Sequence, residues 1–232
     1  MTNESAAPGI LAIWNDRENS IADVYERWYL SEHIPERLGV PGFLAARRYE
    51  ARKGSPRFFT SYDVESLGVL SSEDYLARLA SPSPLTREVM ANFRNMIRTA
   101  CLPIYRSPRA AALGGCVVAA YVEQPARVDR SRLIDGATGC ERDPRVLGLQ
   151  VWQAAPDPAH AATPESRLRP GGDRRIEAAL VVDVMREEDA WALEAAIGAA
   201  LRDSVQSESG AESVPVRSNV YRLLGLWRAQ GD

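Results

Sequence analysis

Hydrophobic residues recur along this chain in two rhythms, and their order predicts the elements. Alternation at period two marks strands at Gly9 to Asn15, Phe43 to Arg52 and Arg57 to Glu65, the last two joined by a turn at Lys53-Gly-Ser-Pro56. Between the first two strands, apolar and aromatic positions recur at helical spacing from about Ile21 to Leu38. Ser71-Ser-Glu-Asp offers capping chemistry to a helix through Tyr75, Leu76 and Leu79, which Pro82 and Pro84 interrupt and which resumes from Thr86 to Phe93. A strand from Asn95 to Tyr105 completes the order β-α-β-β-α-β.

A weaker copy of that order follows. It runs through a strand at Cys116 to Glu123, a short helical segment at Val128 to Asp135, strands at Val146 to Ala154 and Ala178 to Met185, an Ala-rich helix at Asp189 to Val205, and a strand at Val220 to Arg228. The expected fold class is α+β, with two tandem ferredoxin-like βαββαβ repeats. Each repeat makes an antiparallel sheet with helices on one face and an apolar face left bare, so two such sheets bury those faces against each other. Expected boundaries are a tail over 1–8, a first half over 9–107, a linker over 108–114 within the Pro/Ala/Gly-rich stretch Ser107 to Gly115, and a second half over 115–230. The polar segment Ala155 to Arg175 reads as a long mobile loop, in which His160 is a solvent-exposed residue by default.

Composition narrows the classes. Of 232 residues 45% are hydrophobic and 25% charged, which suits a globular protein with its own core. A net charge of −3 with interspersed signs argues against nucleic acid or an anionic membrane as partner. No apolar run approaches the roughly 18 residues of a membrane helix and the start lacks a signal-type core, so a cytoplasmic location is expected. Cys101, Cys116 and Cys140 are odd in number and lack CxxC spacing, which favours free thiols over disulfides, and no metal site is expected. Phosphate-binding glycine loops, GxSxG, HExxH and dinucleotide fingerprints are absent from the sequence.

The densest chemistry lies on the first helix. Tyr25, Trp28, Tyr29, Glu32, His33 and Glu36 share one helical face, where a purely structural face would carry aliphatic residues. The run Tyr25-Glu-Arg-Trp-Tyr-Leu-Ser-Glu-His-Ile-Pro-Glu-Arg37, followed by Val40-Pro-Gly-Phe43 and Arg47-Arg48-Tyr49, resembles the EthD-like group of the dimeric α/β barrel superfamily. The resemblance covers residues 9–105 well and 115–229 only in topology, because the second-half helix lacks both the Trp-Tyr and the Glu-His pair. It implies a dimeric α/β barrel whose second half has become a scaffold. Closure between two chains, as a homodimer, stays open beside closure within one.

His33 is the candidate general acid or base, since imidazole exchanges protons near neutrality. Glu32 and Glu36 are candidates to orient it. Tyr62 and Asn95 are candidate donors to a developing oxyanion. Of Arg47 and Arg48, one must face the interior, to hold a substrate anion or to pair with Asp63 or Glu65; Arg98 is a third candidate anion binder. Trp14, Trp28, Tyr29, Tyr49 and Phe59 are the expected pocket walls, although Trp14 shares strand parity with Ile10 and Ala12 and so also fits a core. The reading is a lyase- or isomerase-type enzyme without cofactor, acting by proton transfer on a small aromatic or polyketide-like oxygenated molecule. Its alternatives are a cofactor-free monooxygenase and a non-catalytic binding barrel.

Overall fold

A computed structural model describes residues 7–110, 112–156, 163–206 and 214–230; His160 lies outside them. Strand β1 (Gly9–Arg17) leads through a 3-10 turn into α1 (Ala22–Trp28), a π-turn (Tyr29–His33) and α2 (Ile34–Leu38). Strands β2 (Phe43–Ala51) and β3 (Phe58–Val64), helices α3 (Glu73–Ala80) and α4 (Pro84–Ala91), and strand β4 (Phe93–Arg106) complete the first series. The second contains β5 (Cys116–Glu123), the short β6 (Arg127–Val128), α5 (Arg130–Glu141), β7 (Val146–Ala154), α6 (Pro164–Arg167), β8 (Ile176–Val184), α7 (Glu187–Arg202), the short β9 (Val205–Gln206) and β10 (Val216–Arg228).

Eight strands close into one antiparallel barrel in the order β1-β3-β2-β10-β5-β8-β7-β4. Around the ring, β4-β1-β3-β2 come from the first series and β10-β5-β8-β7 from the second, so both series lay their strands down in one order. The seams are β2 with β10, where Ala51 faces Tyr221, and β4 with β7, where Cys101 faces Ala154. The barrel is thus closed within a single chain. Among the described residues no helix is long and apolar enough to cross a membrane.

Strand alternation divides the apolar residues among three cores. Inside the barrel lie Ile10, Trp14, Tyr49, Phe59, Tyr121, Trp152 and Tyr221. On the outer face of the first series, Leu11, Ile13, Phe58 and Tyr62 pack against Tyr25, Trp28, Tyr29 and Tyr75 from the helices. On the second, Val118, Leu149 and Leu180 pack against Leu133, Leu193 and Ile197.

Four departures from the expected elements have physical causes. The first helix is continuous in position but not in hydrogen bonding: Pro35 has no N–H to give Ser31, and the Ile34 N–H reaches the Tyr29 carbonyl instead, which makes the π-turn. The second-half helix is longer than its apolar pattern, because Asp129 caps it by accepting from Arg132 N at 3.1 Å while Gly136 and Gly139 dilute the period. Part of the expected loop Ala155 to Arg175 is ordered as α6, capped by Thr163, whose hydroxyl accepts from Ser166 N. Asn95 adopts φ +52, a left-handed conformation that Asn tolerates better than most residues, at a break in the β1–β4 register.

Candidate functional site

The π-turn carries His33 to the foot of the first-half helices, where it is buried against the sheet. Its ring stacks on Trp28 with centroids 4.2 Å apart and meets Tyr29 edge-on at 5.3 Å and Tyr62 at 6.3 Å. His33 Nδ1 and the Tyr62 hydroxyl are both buried without a hydrogen-bond partner. Unsatisfied buried polar atoms are uncommon in native folds, and these two belong to neighbouring rings. Burial, followed by the charges of Arg37, Arg169 and Arg48, holds the His33 pKa well below the ordinary 6.5. His33 is therefore a neutral base at neutral pH. Burial drives the Tyr62 hydroxyl in the opposite sense, well above its ordinary value, so it stays protonated and can only donate to an oxyanion.

Other first-half side chains lie on the same side of the sheet. Trp28 Nε1 donates to Thr86 Oγ1 at 2.9 Å, and Tyr29 Oη lies 3.5 Å from Thr60 Oγ1. Arg48 makes a two-point pair with Glu26 at 2.5 and 2.8 Å and lies 4.1 Å above the Tyr29 ring. Arg98 Nη2 donates to Tyr75 Oη at 2.9 Å on the same side of the sheet. Beside the cluster an apolar groove of about 760 Å³ runs along Leu30, Ile34, Leu38, Val40, Phe43 and Trp227. Phe43 is shared between the two, with its ring 5.7 Å from that of Tyr62. The groove falls in the size range of small-molecule sites, roughly 300–1,000 Å³.

The structure thus gathers His33, Tyr62, Trp28, Tyr29, Arg48 and Arg98, but places the other expected residues elsewhere. Trp14, Tyr49 and Phe59 point into the barrel, on the far face of the sheet, with Trp14 stacked on Phe59 at 4.6 Å and Tyr49 on Phe59 at 5.3 Å. Strand parity is the cause, and it sends Asn15 rather than Trp14 toward the helices, where Asn15 Nδ2 donates to Tyr25 Oη at 3.0 Å. Asn95 is exposed at a barrel end and donates to Asp16 Oδ2 at 2.7 Å, so it cannot serve an oxyanion beside His33. Glu32 does not orient the imidazole; it accepts from Ser83 and Thr86 at the start of α4. Arg47 faces inward and pairs with Asp63 at 2.8 Å.

Sequence reasoning missed Arg37, Glu165, Arg169 and Asp173 as members of the cluster. Arg37 lies one helical turn beyond His33, a spacing that places both on one face. Glu165 and Arg169 also sit at i and i+4, but in a segment whose composition reads as loop.

A second polar set occupies one barrel mouth. Arg47, Tyr49, Ser61, Gln150, Trp152 and Asp183 line a cavity of only about 40 Å³. That holds about three waters at ~10–15 Å³ each and no aromatic substrate. Burial raises the Asp183 pKa to about 6 from the ordinary 3.8, against the stabilising Gly114 N–H and the Arg47 charge. The unfolded chain therefore ionises first, and stability falls as pH rises from 3.8 toward 6. Asp183→Asn is expected to stabilise the fold by about 2 kcal/mol at pH 7.5 and by almost nothing at pH 3.5. Thermal melts at the two pH values check this, and an equal effect at both would contradict it.

Cys101 and Cys116 are buried and Cys140 is partly buried. Burial raises the thiol pKa of Cys116 and of Cys140, away from the reactive thiolate. Among the described residues no group of three or more His, Cys, Asp or Glu is arranged to hold a metal ion.

No protein-family model and no curated protein matches the sequence. Solved structures do match along nearly the whole chain. An anthrone oxidase-like protein superposes with a TM-score of 0.57 at 11% identity, covering 100% of this chain and 97% of its own. Two proteins, each described as a "putative monooxygenase", follow: one from Lactobacillus acidophilus NCFM (TM-score 0.51, 8% identity, 96% and 97% covered) and one from Fusobacterium nucleatum subsp. nucleatum (0.52, 9%, 97% and 96%). At these identities the likeness is one of fold. The chain shares with them an α+β fold, here a closed eight-stranded antiparallel barrel flanked by helices.

Proposed function

We propose that the chain is a tandem pair of ferredoxin-like repeats, 9–107 and 115–230 joined by 108–114, whose first half carries the site of a cofactor-free monooxygenase. One observation carries this reading: a buried neutral imidazole and a buried protonated phenol, neither hydrogen-bonded, have rings 6.3 Å apart among Trp28, Tyr29 and Phe43. Such a pair suits removal of a proton from a substrate whose conjugate base is stabilised on oxygen. The names of the three structural neighbours favour oxygen as the second reactant over simple isomerisation, decarboxylation or dehydration.

In this reading the substrate is an electron-rich hydroxyaromatic or enolisable aryl ketone whose apolar body lies along the groove. His33 takes a proton from the acidic C–H or O–H, and Tyr62 donates to the resulting oxyanion. The carbanion passes electrons to dioxygen, a carbon–oxygen bond forms, and loss of water leaves a carbonyl where a methylene stood. For anthrone the balance is one dioxygen consumed, one anthraquinone and one water formed.

The test is oxygen uptake with anthrone, using protein treated with chelator and free of flavin absorbance. Uptake matched one to one by anthraquinone supports the reading. Exchange of the anthrone methylene protons into heavy water without oxygen consumption would return the function to proton transfer alone. Binding with neither would leave a non-catalytic barrel.

A further inference from the structure

Four charged side chains meet out of solvent where α6 docks on the first-half helices. Arg37 donates through Nη2 to Glu165 Oε2 at 2.5 Å, and Glu165 Oε1 lies 3.6 Å from Arg169 Nη1. Arg169 is held in turn by Asp173, through Nε at 2.7 Å and through Nη2, and its Nη1 reaches Met90 Sδ at 3.5 Å. The side chains of Arg37, Glu165 and Arg169 are 3%, 8% and 3% exposed. A buried ionic network rarely stabilises a fold better than apolar residues of the same volume, so docking α6 does not by itself account for it.

The unusual atom is the other end of Arg37. Its Nη1 is buried without a hydrogen bond, and the Glu36 carboxylate is 4.0 Å away. The guanidinium acts on both orphan groups of the site, lowering the pKa of His33 and opposing the rise at Tyr62. Three polar atoms on this side of the sheet, His33 Nδ1, the Tyr62 hydroxyl and Arg37 Nη1, are therefore buried without a hydrogen bond.

We propose that Glu165 is a positioning residue: from the second half it clamps Nη2 of Arg37, so that Nη1 is presented as a preset donor to the phenolate or enolate oxygen of the substrate. The inference rests on the proton-abstraction reading above. It makes the second half part of the site, with Arg169 and Asp173 bracing the clamp, and it specifies a substrate that becomes anionic on oxygen. A donor fixed before charge develops is worth more than one that must reorganise.

Two variants test it with anthrone as probe. The charge-free pair Arg37→Met/Glu165→Leu should melt near the parent, yet lose roughly 10²- to 10³-fold in kcat/KM. Glu165→Gln, which frees Arg37 without removing it, should lose about 10-fold or more in kcat with KM little changed, because the contact strengthens as charge appears. A readout independent of turnover is the NMR titration of His33, one of only two histidines in the chain. In the double variant it should move up toward 6.5, and an unmoved titration would overturn the proposal. Parent-like turnover by the double variant, with His33→Gln inactive, would make the network structural. Parent-like turnover by His33→Gln as well would bring down the underlying reading instead. Should the double variant not fold, an unchanged kcat in Glu165→Gln, measured well below its melt, overturns the proposal equally.

Discussion

Replacing His33 by Gln is expected to cut oxygen uptake on anthrone by about two to four orders of magnitude while ligand affinity stays near that of the parent. Gln retains polarity and much of the volume but cannot carry the proton. It is the informative variant because His33 is buried at 4% exposure and stacked on Trp28. His33→Ala would remove that contact as well and lower stability by about 1–3 kcal/mol, mixing two causes. Dependence on pH follows from the same burial. The base must be neutral, and its pKa is depressed, so the rate should stay level as pH falls past 6.5 and drop only when the folded His33 takes up its proton. Below 6.5 the unfolded chain protonates first, so stability is lost between 6.5 and the folded pKa, and His33→Gln should remove that slope. An acid limb in kcat/KM centred at or above 6.5, or normal uptake by His33→Gln, would assign the proton to another group.

Trp14→Ala should have the largest effect on stability. The indole is fully buried at the centre of the barrel, 4.6 Å from Phe59 and 4.8 Å from Tyr121. Truncation removes the stack and leaves a void that the closed ring cannot collapse to fill, at a cost of about 3–5 kcal/mol. For a chain of this size that lowers the melting temperature by roughly 10 °C. Turnover per folded molecule should be unchanged, because Trp14 lies across the sheet from His33. Denaturant titration with activity normalised to folded protein checks both parts. An unchanged melt with lost turnover would put the ring in the pocket after all.

What the sequence revealed follows from range. Alternation in β1 and the helical face of Tyr25, Trp28, Tyr29 and His33 are local patterns, so the element order, the inward turn of Trp14 and the helix-borne part of the cluster were legible. The parity that makes Trp14 a core residue also turns Tyr49 and Phe59 into the barrel, away from His33, and applying it to every strand would have found this. Asn95 misled because a polar residue in a strand suggests chemistry, while a left-handed backbone at a register break suits Asn for its own sake. Glu165 and Arg169 were out of reach. Their partner Arg37 is far away in sequence, and a charged i, i+4 pair in a Pro-rich stretch looks the same whether it is solvated or buried.

Closure of the ring also orders its assembly in time. The first-half sheet has two outer strands, β2 and β4, and each finds its remaining partner only in the second half, in β10 and β7. Because residue 51 pairs with residue 221, the last bonds of the ring join distant parts of the chain, a topology of high contact order that folds slowly. During synthesis the His33 helix and its sheet emerge first and stand with both margins unpaired, the condition in which strands recruit strands from other molecules. Arrival of β10 ends that exposure, so a chain released before residue 216 is the species most apt to aggregate.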